Sequence, residues 1–293
     1  MHKNRYNSLK LEYTITPRAP LLVKSGGISS DPSLPDMQFV RTYIAGEGET
    51  VYIPGSSLKG IFRSYVERVL RTKSGEGKEG ACNLFTDNYC GKKLEKEHDS
   101  AEIYKSSCRA CKIFGNTKLK SRIAFGDAYP IGDVRTETRY GVAISRLTHA
   151  VAQGPFDMEV MVSGSFSSRI YLENFEIWQL GLLALVFQGL NEGLVRVGFG
   201  KNRGFGEVET KMERIEFSFS KSPPEDEIWG VGMFLDDEGE RKKYGFEADD
   251  KIQIGVKLAS GGEGAVYVRR GYRGGDWDVI SSAALASLKG VLG

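Results

Sequence analysis

Apolar and polar side chains alternate over residues 9–15 (LKLEYTI), where every second position is leucine, tyrosine or isoleucine. A period of two is typical of a β-strand with one buried face, so this segment is predicted to be the first strand. The same reasoning predicts further strands at residues 122–125, at 157–166 with a continuation through 170–172, and at 206–219. Residues 140–156 show no such period and are predicted to be irregular.

Two helices are predicted, the first because its apolar residues recur at a spacing of three and four. The first occupies most of residues 52–72 (YIPGSSLKGIFRSYVERVLRT), and Ser56 or Ser57 is its expected N-cap. The second, residues 175–189, is apolar on all sides and is expected to be buried. The order strand, helix, strand, strand, helix, strand predicts an α+β chain with a ferredoxin-like core, in which helices cover one face of a sheet.

Two stretches are expected to lie outside this core, which would span residues 1–220. Residues 72–112 are polar and rich in glycine, lysine and glutamate, and are predicted to be an insertion. Residues 221–293 are predicted to be a C-terminal extension packed on the core. The longest apolar run, residues 180–190, is shorter than the roughly 20 residues that span a membrane. The N-terminus lacks a secretory pattern, so we expect a cytoplasmic protein without a membrane partner.

Charge is distributed unevenly along the chain. The net charge of the whole sequence is only +2, but residues 224–250 contain ten acids and three bases, a local charge of −7. The remaining residues therefore carry +9. A basic body suits a polyanionic partner, and the acidic segment suits a protein contact, although a well-solvated surface would show the same pattern.

All four cysteines lie between residues 82 and 111, in the polar insertion, with the spacing C-x7-C-x17-C-x2-C. Four thiolates suit a tetrahedral zinc ion, and a small insertion without its own core gains folding free energy from such a site. The expected ligands are Cys82, Cys90, Cys108 and Cys111, with His98 as a possible substitute for one of them. Disulfides or free thiols are the alternative. A catalytic zinc is not expected, because four thiolates leave no open coordination position.

Two basic motifs suit an anionic ligand. Lys59 and Arg63 are four residues apart near the start of the first predicted helix, where phosphate binding or plain solvation would explain them. Residues 198–206 (GFGKNRGFG) place Lys201 and Arg203 between two phenylalanines. This is no dinucleotide loop, since Arg203 replaces its third glycine and a strand follows. A glycine-rich turn with cations and aromatic rings fits a phosphate backbone and stacked bases, or else a turn whose cations face water.

The segment IPGSSLKG, followed by an amphipathic helix, FGNT at residues 114–117, GDAY at 126–129 and the terminal GFGKNRGFG together resemble the RAMP superfamily of CRISPR-associated proteins. More narrowly, they resemble the backbone subunit of type III (Csm and Cmr) effector complexes, over about residues 9–220. This resemblance implies an RNA-recognition-motif-like core that polymerises along a guide RNA (crRNA). It also implies a projecting thumb hairpin, which would match residues 138–156. The implied partners are guide RNA, target RNA, other subunits of the complex and copies of the chain itself.

The resemblance places a cleaving aspartate on the loop before IPGSSLKG. Asp36, in LPDMQFVR, matches that position best, and Asp31 is the competitor on the same loop. An aspartate that merely forms a turn after Pro35 is the structural alternative. A carboxylate here would help to hold Mg²⁺ or Mn²⁺ or to position an RNA 2′-hydroxyl for attack on the neighbouring phosphate.

Guide contacts are carried over from the resemblance in the same way, and most would be made to phosphates. Such contacts accept any guide sequence and weaken as salt rises. The expected RNA-binding residues are Ser56, Ser57, Lys59 and Arg63 on the helix, Lys201 and Arg203 in the glycine-rich turn, and Arg139, Arg146 and Thr148 in the thumb segment.

The sequence is therefore interpreted as an endoribonuclease subunit that cuts bound target RNA with Asp36 and a divalent cation. The principal alternative is a scaffold subunit that binds guide RNA without cutting, since the C-terminal extension is longer than a minimal backbone subunit needs. A third hypothesis is a metal-independent RNase that matures the guide, for which His149 and Tyr140 would supply the acid and base.

Overall fold

The computed structural model describes residues 4–26, 33–46 and 48–292. Within these residues the strands are β1 (Asn7–Pro17), β2 (Arg41–Ile44), β3 (Gly48–Val51), β4 (Ile123–Phe125), β5 (Tyr129–Ile144), β6 (Val151–Glu173), β7 (Val208–Phe219), β8 (Glu227–Trp229), β9 (Lys251–Gln253), β10 (Ser260–Glu263) and β11 (Val268–Arg273). The helices are α1 (Gly55–Ser74), α2 (Cys90–Lys93), α3 (Ser100–Ser106), α4 (Arg109–Phe114), α5 (Ile177–Asn191), α6 (Glu238–Tyr244), α7 (Trp277–Ser287) and α8 (Lys289–Leu292).

Seven of the described strands form one antiparallel sheet. Its order is β10-β11-β7-β1-β6-β4, and β5 pairs with β6 outside this path. β1 lies at the centre and pairs with β6 on one side and with β7 on the other. The prediction of a mixed chain of helices and strands is confirmed, and the sheet is antiparallel. The predicted strands of the core and both predicted helices are present within a few residues of their expected bounds.

The core lies between one face of this sheet and the helices α1 and α5. Leu9, Leu11, Tyr13 and Ile15 of β1 are all buried on that face, as their alternation predicted. The ring of Phe187 on α5 packs edge-on against Tyr13 of β1 and against Phe62 of α1, with centroids 5.2 and 5.3 Å apart. α5 is buried on nearly all sides, as expected. Among the described residues, no helix combines the length and the apolar character that crossing a lipid bilayer requires.

The prediction that residues 140–156 are irregular is wrong. They belong to a long hairpin formed by β5 and β6, whose pairing runs from Tyr129 opposite Ser167 to Ile144 opposite Val151. The outer part of this hairpin is exposed or half-exposed on both faces. Because neither face is buried there, the sequence has no reason to alternate, and the period that reveals a strand is missing.

The start of α1 also differs from the prediction, because neither Ser56 nor Ser57 is the N-cap. Pro54 occupies the capping position, and its side chain has no hydrogen-bond acceptor. Instead, the Gly55 N–H donates a 2.7 Å hydrogen bond to Oδ1 of Asp127, which comes from the segment between β4 and β5. The main chains of Ile53 and Ala128 exchange two further hydrogen bonds beside it. A carboxylate from another element therefore stabilises the positive end of the helix.

The C-terminal residues continue the sheet. β11 pairs with β7, and α7 packs on α5 with its Trp277 ring 5.9 Å from Phe187. The buried guanidinium of Arg270 donates to the carbonyl oxygens of Pro223 and Pro224, which fixes the connection between β7 and this region.

We expect Asp127→Ala to lower the free energy of unfolding by about 1 kcal/mol, the usual cost of losing a helix cap. Urea denaturation followed by circular dichroism would measure it. Asp133→Ala, at an exposed position of β5, removes the same charge without touching α1 and should leave the free energy of unfolding within about 0.5 kcal/mol of wild type. Equal stabilities of the two variants would contradict this capping role.

Candidate functional site

The glycine-rich turn, residues 198–206, is pressed against the segment that follows β1. The N–H groups of Phe199 and Gly206 donate to the carbonyl oxygens of Leu22 and Pro20, at 2.7 and 2.9 Å. Gly198 and Gly206 both have φ near +80°, and a Cβ on Gly198 would lie 2.2 Å from the Leu22 oxygen. Only glycine fits both requirements, so the turn has one fixed shape on which Lys201 and Arg203 are exposed.

A basic cleft of about 310 Å³ separates this turn from one flank of α1. Its cations are Arg68 of α1, Arg196 and Lys201. The cleft removes part of the water around the otherwise exposed Lys201, and this desolvation, followed by the positive charge of Arg68, lowers the pKa of Lys201. Like charges held this close favour a bound anion, which would relieve their repulsion. The remaining lining residues are Ile61, Ser64, Tyr65, Gly193, Leu194, Val195 and Asn202.

The predicted RNA-binding residues of α1 are divided between two flanks of the helix. Ser57 is one turn before Ile61, on the flank that meets the glycine-rich turn, whereas Ser56, Lys59 and Arg63 are on the other flank. Arg63 there donates to Glu67, to the Gly115 carbonyl and to the sulfur of Cys111. The structure thus places Arg63 with the cysteines and not with Lys201 and Arg203.

Asp36 lies against a second carboxylate that the sequence did not single out. The Asp36 N–H donates to Oδ1 of Asp157 at 2.8 Å, and the Asp157 N–H donates to Oδ2 of Asp36 at 3.3 Å. The Asp36 N–H is the main cause of a lowered pKa at Asp157. Asp36 is exposed, so a substrate can reach this carboxylate pair. Asp31, the competing candidate, lies outside the described residues.

The carboxylate pair and the glycine-rich turn meet at Phe156, the residue before Asp157. The guanidinium of Arg203 lies over the Phe156 ring, 5.7 Å from its centroid. The main chain of Leu21 exchanges two hydrogen bonds with Met161 of β6, which holds the segment beneath the turn against the same strand. Strand β6 therefore brings a cationic turn and two acids together.

A larger cleft, of about 550 Å³, opens beside Pro35, next to the carboxylate pair. Arg41 and Glu159 form a two-bond ion pair in its wall, and Glu159 also accepts a 3.1 Å hydrogen bond from the Phe39 N–H. The ion pair attaches the loop that carries Asp36 to β6. It also makes the walls of the cleft polar. The other lining residues are Leu34, Gln38, Glu49, Thr136, Glu137 and Thr138.

The outer end of the long hairpin is exposed and partly apolar. Leu147 at its tip is 90% exposed and Tyr140 is 75% exposed. Arg139 pairs with its neighbour Glu137 at 2.6 Å. Arg146, Thr148 and His149 are exposed at or near the tip. The Tyr140 and His149 of the guide-maturation hypothesis are thus both surface residues of this hairpin.

The four cysteines converge in space, as their clustering in sequence predicted. The sulfur atoms of Cys82, Cys90, Cys108 and Cys111 all lie within 4.8 Å of one another, and all four residues are buried and free of disulfide bonds. The N–H of Cys108 donates to the Cys90 sulfur, and the N–H of Cys111 donates to the Cys108 sulfur. The arrangement could hold a metal ion such as zinc. His98 is exposed and is not a member of this cluster.

The four thiols strongly influence one another's ionisation. A hydrogen bond with Cys111 is the main cause that lowers the pKa of Cys108 to about 7, while a hydrogen bond with Cys108 raises the pKa of Cys111 well above its usual range. Neighbouring thiolates repel, so the cluster loses some protons easily and keeps the others. A bound divalent cation removes that repulsion, which is the chemistry expected of a metal centre.

Four residues of these sites were missed by the sequence analysis. Arg68 could have been found from helical periodicity, since it is seven residues after Ile61 on the flank beside Ser64. Arg196, two residues before the glycine-rich turn, carried no local pattern. Asp157 and Asp127 act on partners 121 and 72 residues away in the chain, and sequence spacing cannot reveal such pairs.

The comparisons with known proteins give one family. A family model described as "RAMPs: RAMP superfamily" matches residues 14–209, about two thirds of the chain. The match includes the loop of Asp36, α1, the cysteine cluster, the long hairpin and the glycine-rich turn. It fits a CRISPR-associated RNA-binding module. No curated protein matches the chain.

We expect the purified chain to contain one tightly bound metal ion, with zinc as the first candidate. Replacing any of the four cysteines by serine should abolish stoichiometric binding and lower the thermal stability, because the insertion then loses its cross-link. Metal content by mass spectrometry, together with thermal melts, would measure both. His98→Ala is the matched control and should keep the metal. Loss of the metal in that variant alone would identify His98 as a ligand.

Proposed function

The chain belongs to the RAMP superfamily, and from this premise we propose that it is a guide-RNA-binding backbone subunit of a type III CRISPR effector complex, acting in the cytoplasm, that cleaves bound target RNA. The observation that carries the proposal is the meeting of Arg203 with Phe156, next to the pair of Asp36 and Asp157. Residues suited to a phosphate backbone and residues suited to phosphodiester chemistry therefore adjoin at β6, where Phe156 and Asp157 are consecutive.

In this proposal β1, α1, β4, β6, α5 and β7 form a ferredoxin-like core. The antiparallel order β7-β1-β6-β4, with both helices on one face, supports that topology. The three longer additions to the core would serve assembly and RNA binding. They are the cysteine insertion, the long hairpin as a thumb, and the C-terminal extension.

The guide RNA would run through the basic cleft and over the glycine-rich turn. Lys201 and Arg203 are exposed on the turn, and Arg68 and Arg196 line the cleft beside it. These cations, with Ser57 and the main chain of the turn, would contact phosphates and not base edges. Binding would therefore be independent of sequence, and specificity would come from pairing between guide and target. Ser56 and Lys59 lie farther round the helix and would contact an adjoining stretch of backbone.

The long hairpin would separate short stretches of the duplex between guide and target RNA. Arg139, Arg146 and Thr148 would hold phosphates, while the exposed apolar side chains near the tip would lie against unstacked bases. Apolar side chains inserted between bases are a known way to distort a helix. Copies of the chain placed side by side would repeat this distortion at regular intervals along the target.

Cleavage would take place at Asp36. A carboxylate pair offers the hard oxygen ligands that Mg²⁺ and Mn²⁺ prefer, so Asp36 and Asp157 fit such an ion. When bound, the ion would neutralise charge on the phosphate oxygens. Asp36 would orient the 2′-hydroxyl and accept its proton as the 2′-oxygen attacks phosphorus, while the bond to the 5′-oxygen breaks and that oxygen is protonated by water. The need for a 2′-hydroxyl restricts this reaction to RNA.

A non-cleaving scaffold is the second candidate, and the C-terminal extension favours it. Strands β10 and β11 cover the edge of β7, a place where another subunit could otherwise add. A subunit modified in this way would suit one end of a filament, where guide binding is needed and cutting is not.

We expect Arg68→Ala and Lys201→Ala each to weaken binding of single-stranded RNA by a similar factor for unrelated sequences. Each should also reduce the slope of log affinity against log salt by about one, because one phosphate contact is lost. Fluorescence anisotropy at several salt concentrations would measure both quantities. Lys257→Ala, at an exposed position of the C-terminal region, removes the same charge and should bind like wild type. A loss that depends on RNA sequence would argue against phosphate contacts.

In the assembled complex, we expect Asp36→Ala to reduce cleavage of complementary RNA in magnesium by roughly 10²-fold or more, with target binding retained. Asp157→Asn should also slow cleavage, since the carboxylate that holds Asp36 is removed. Asp133→Asn on the same hairpin is the control and should cut normally. Wild type that binds target without ever cutting it would establish the scaffold instead.

A further inference from the structure

The cysteine cluster contacts α1 as well as its own insertion. Nη2 of Arg63 lies 3.7 Å from the Cys111 sulfur, while Nη1 of the same guanidinium donates to the Gly115 carbonyl at 3.2 Å. Cys111 begins the last turn of α4 and Gly115 ends that helix. Arg63 is therefore fixed against both the sulfur and the backbone that presents it.

The neighbouring residues on α1 complete this attachment. Glu67 accepts hydrogen bonds from Arg63 at 2.8 Å and from Arg71 at 3.0 Å, one turn away on either side. Arg71 then donates to the main-chain oxygen of Cys82 at 2.8 Å. The row Arg63, Glu67 and Arg71 thus holds the first and the last cysteine of the cluster on a single flank of α1.

The positive charge of Arg63 would offset negative charge at a metal-loaded cluster. Four thiolates around a divalent ion leave a net charge of −2, which hydrogen-bond donors must offset in a buried site. The backbone serves Cys90 and Cys108 in this way. Among the residues that the structure describes, Arg63 is the cation whose N–H group reaches a cysteine sulfur. Its position is that of an outer-shell residue of a metal centre.

The opposite flank of the same two turns lines the basic cleft. The cleft residues on this flank face Lys201, and they are Ile61, Ser64, Tyr65 and Arg68. Along the sequence of α1 they alternate with the residues that hold the cysteines. A helix moves as a rigid unit over two turns, so a shift of the Arg63 flank displaces Arg68 by a similar distance. Phosphate contacts tolerate little displacement before their hydrogen bonds are lost.

We propose that Arg63 is an outer-shell positioning residue of the metal centre, and that through it metal occupancy sets the position of α1, so that loss of the metal weakens RNA binding. This inference rests on the proposed RNA-binding function. It assigns Arg63 to the metal centre instead of to a phosphate contact. If the metal raises the affinity for RNA, then RNA must raise the affinity for the metal by the same factor, because the two binding events are coupled.

The first test measures zinc affinity by competition with a chromogenic chelator, using the full chain. Arg63→Ala should bind zinc about tenfold or more weakly, as is usual when an outer-shell partner is removed. Arg63→Lys keeps the positive charge but lacks the planar guanidinium, so its zinc affinity should lie between those of wild type and Arg63→Ala. Arg68→Ala, five residues later on the opposite flank, should bind zinc like wild type. Wild-type zinc affinity in Arg63→Ala, or no zinc binding by the wild type, would overturn the proposal.

The second test measures RNA affinity with zinc in excess and after chelation. Wild type should bind a labelled single-stranded RNA more tightly when loaded, and saturating RNA should raise zinc affinity by that same factor. In excess zinc, the RNA affinity of Arg63→Ala should approach that of wild type, whereas the RNA affinity of Arg68→Ala should remain low. Equal RNA affinity of the loaded and metal-free wild type would refute the coupling.

The two tests separate failure of this inference from failure of the proposed function. Weak RNA binding by Arg63→Ala despite full zinc loading would return Arg63 to the RNA contacts. If the loaded wild type binds no RNA, the proposed function and the coupling both fail, while the zinc affinity of Arg63→Ala still decides the outer-shell role.

Discussion

The pairing of β1 with two partners is the constraint on which the rest of this structure depends. Its buried face carries the residues that α1 and α5 cover, and its two edges fix β6 and β7 in register. The glycine-rich turn ends where β7 begins, and the carboxylate of Asp157 is on the outer part of β6. The pairing of one alternating strand therefore sets the frame of the candidate RNA site, and the loop of Asp36 and the glycine-rich turn are fixed on that frame by their own hydrogen bonds.

Three sides of helix α1 make three different sets of contacts. Leu58, Phe62, Val66 and Leu70 face the core, one flank lines the basic cleft, and the other holds the cysteine cluster. At the start of α1, the Gly55 N–H already donates a hydrogen bond to Asp127. An incoming phosphate would therefore meet side-chain cations and the turn amides, and not the first N–H of the helix.

The sequence revealed those parts of the molecule whose evidence is local. Alternation identified β1 because its one face is buried, and cysteine clustering identified a group that could hold a metal ion because its four members are close in the chain. The same approach failed for the long hairpin, whose two exposed faces impose no period. It also assigned Arg63 to RNA from its charge and the resemblance. Its partner Glu67, four residues later, is visible in the sequence, but its contact with Cys111 appears only in three dimensions. Asp157 was invisible because it serves a partner that is 121 residues away.

The central place of β1 has a consequence for synthesis. β1 leaves the ribosome before its partners β6 and β7, which end at Glu173 and Phe219. The edge of β7 is covered only after β11, which ends at Arg273. The alternating apolar face of β1 must therefore remain unpaired until β6 and β7 have been made, a state in which strands are prone to aggregate. Contact with a chaperone during translation would protect this strand most.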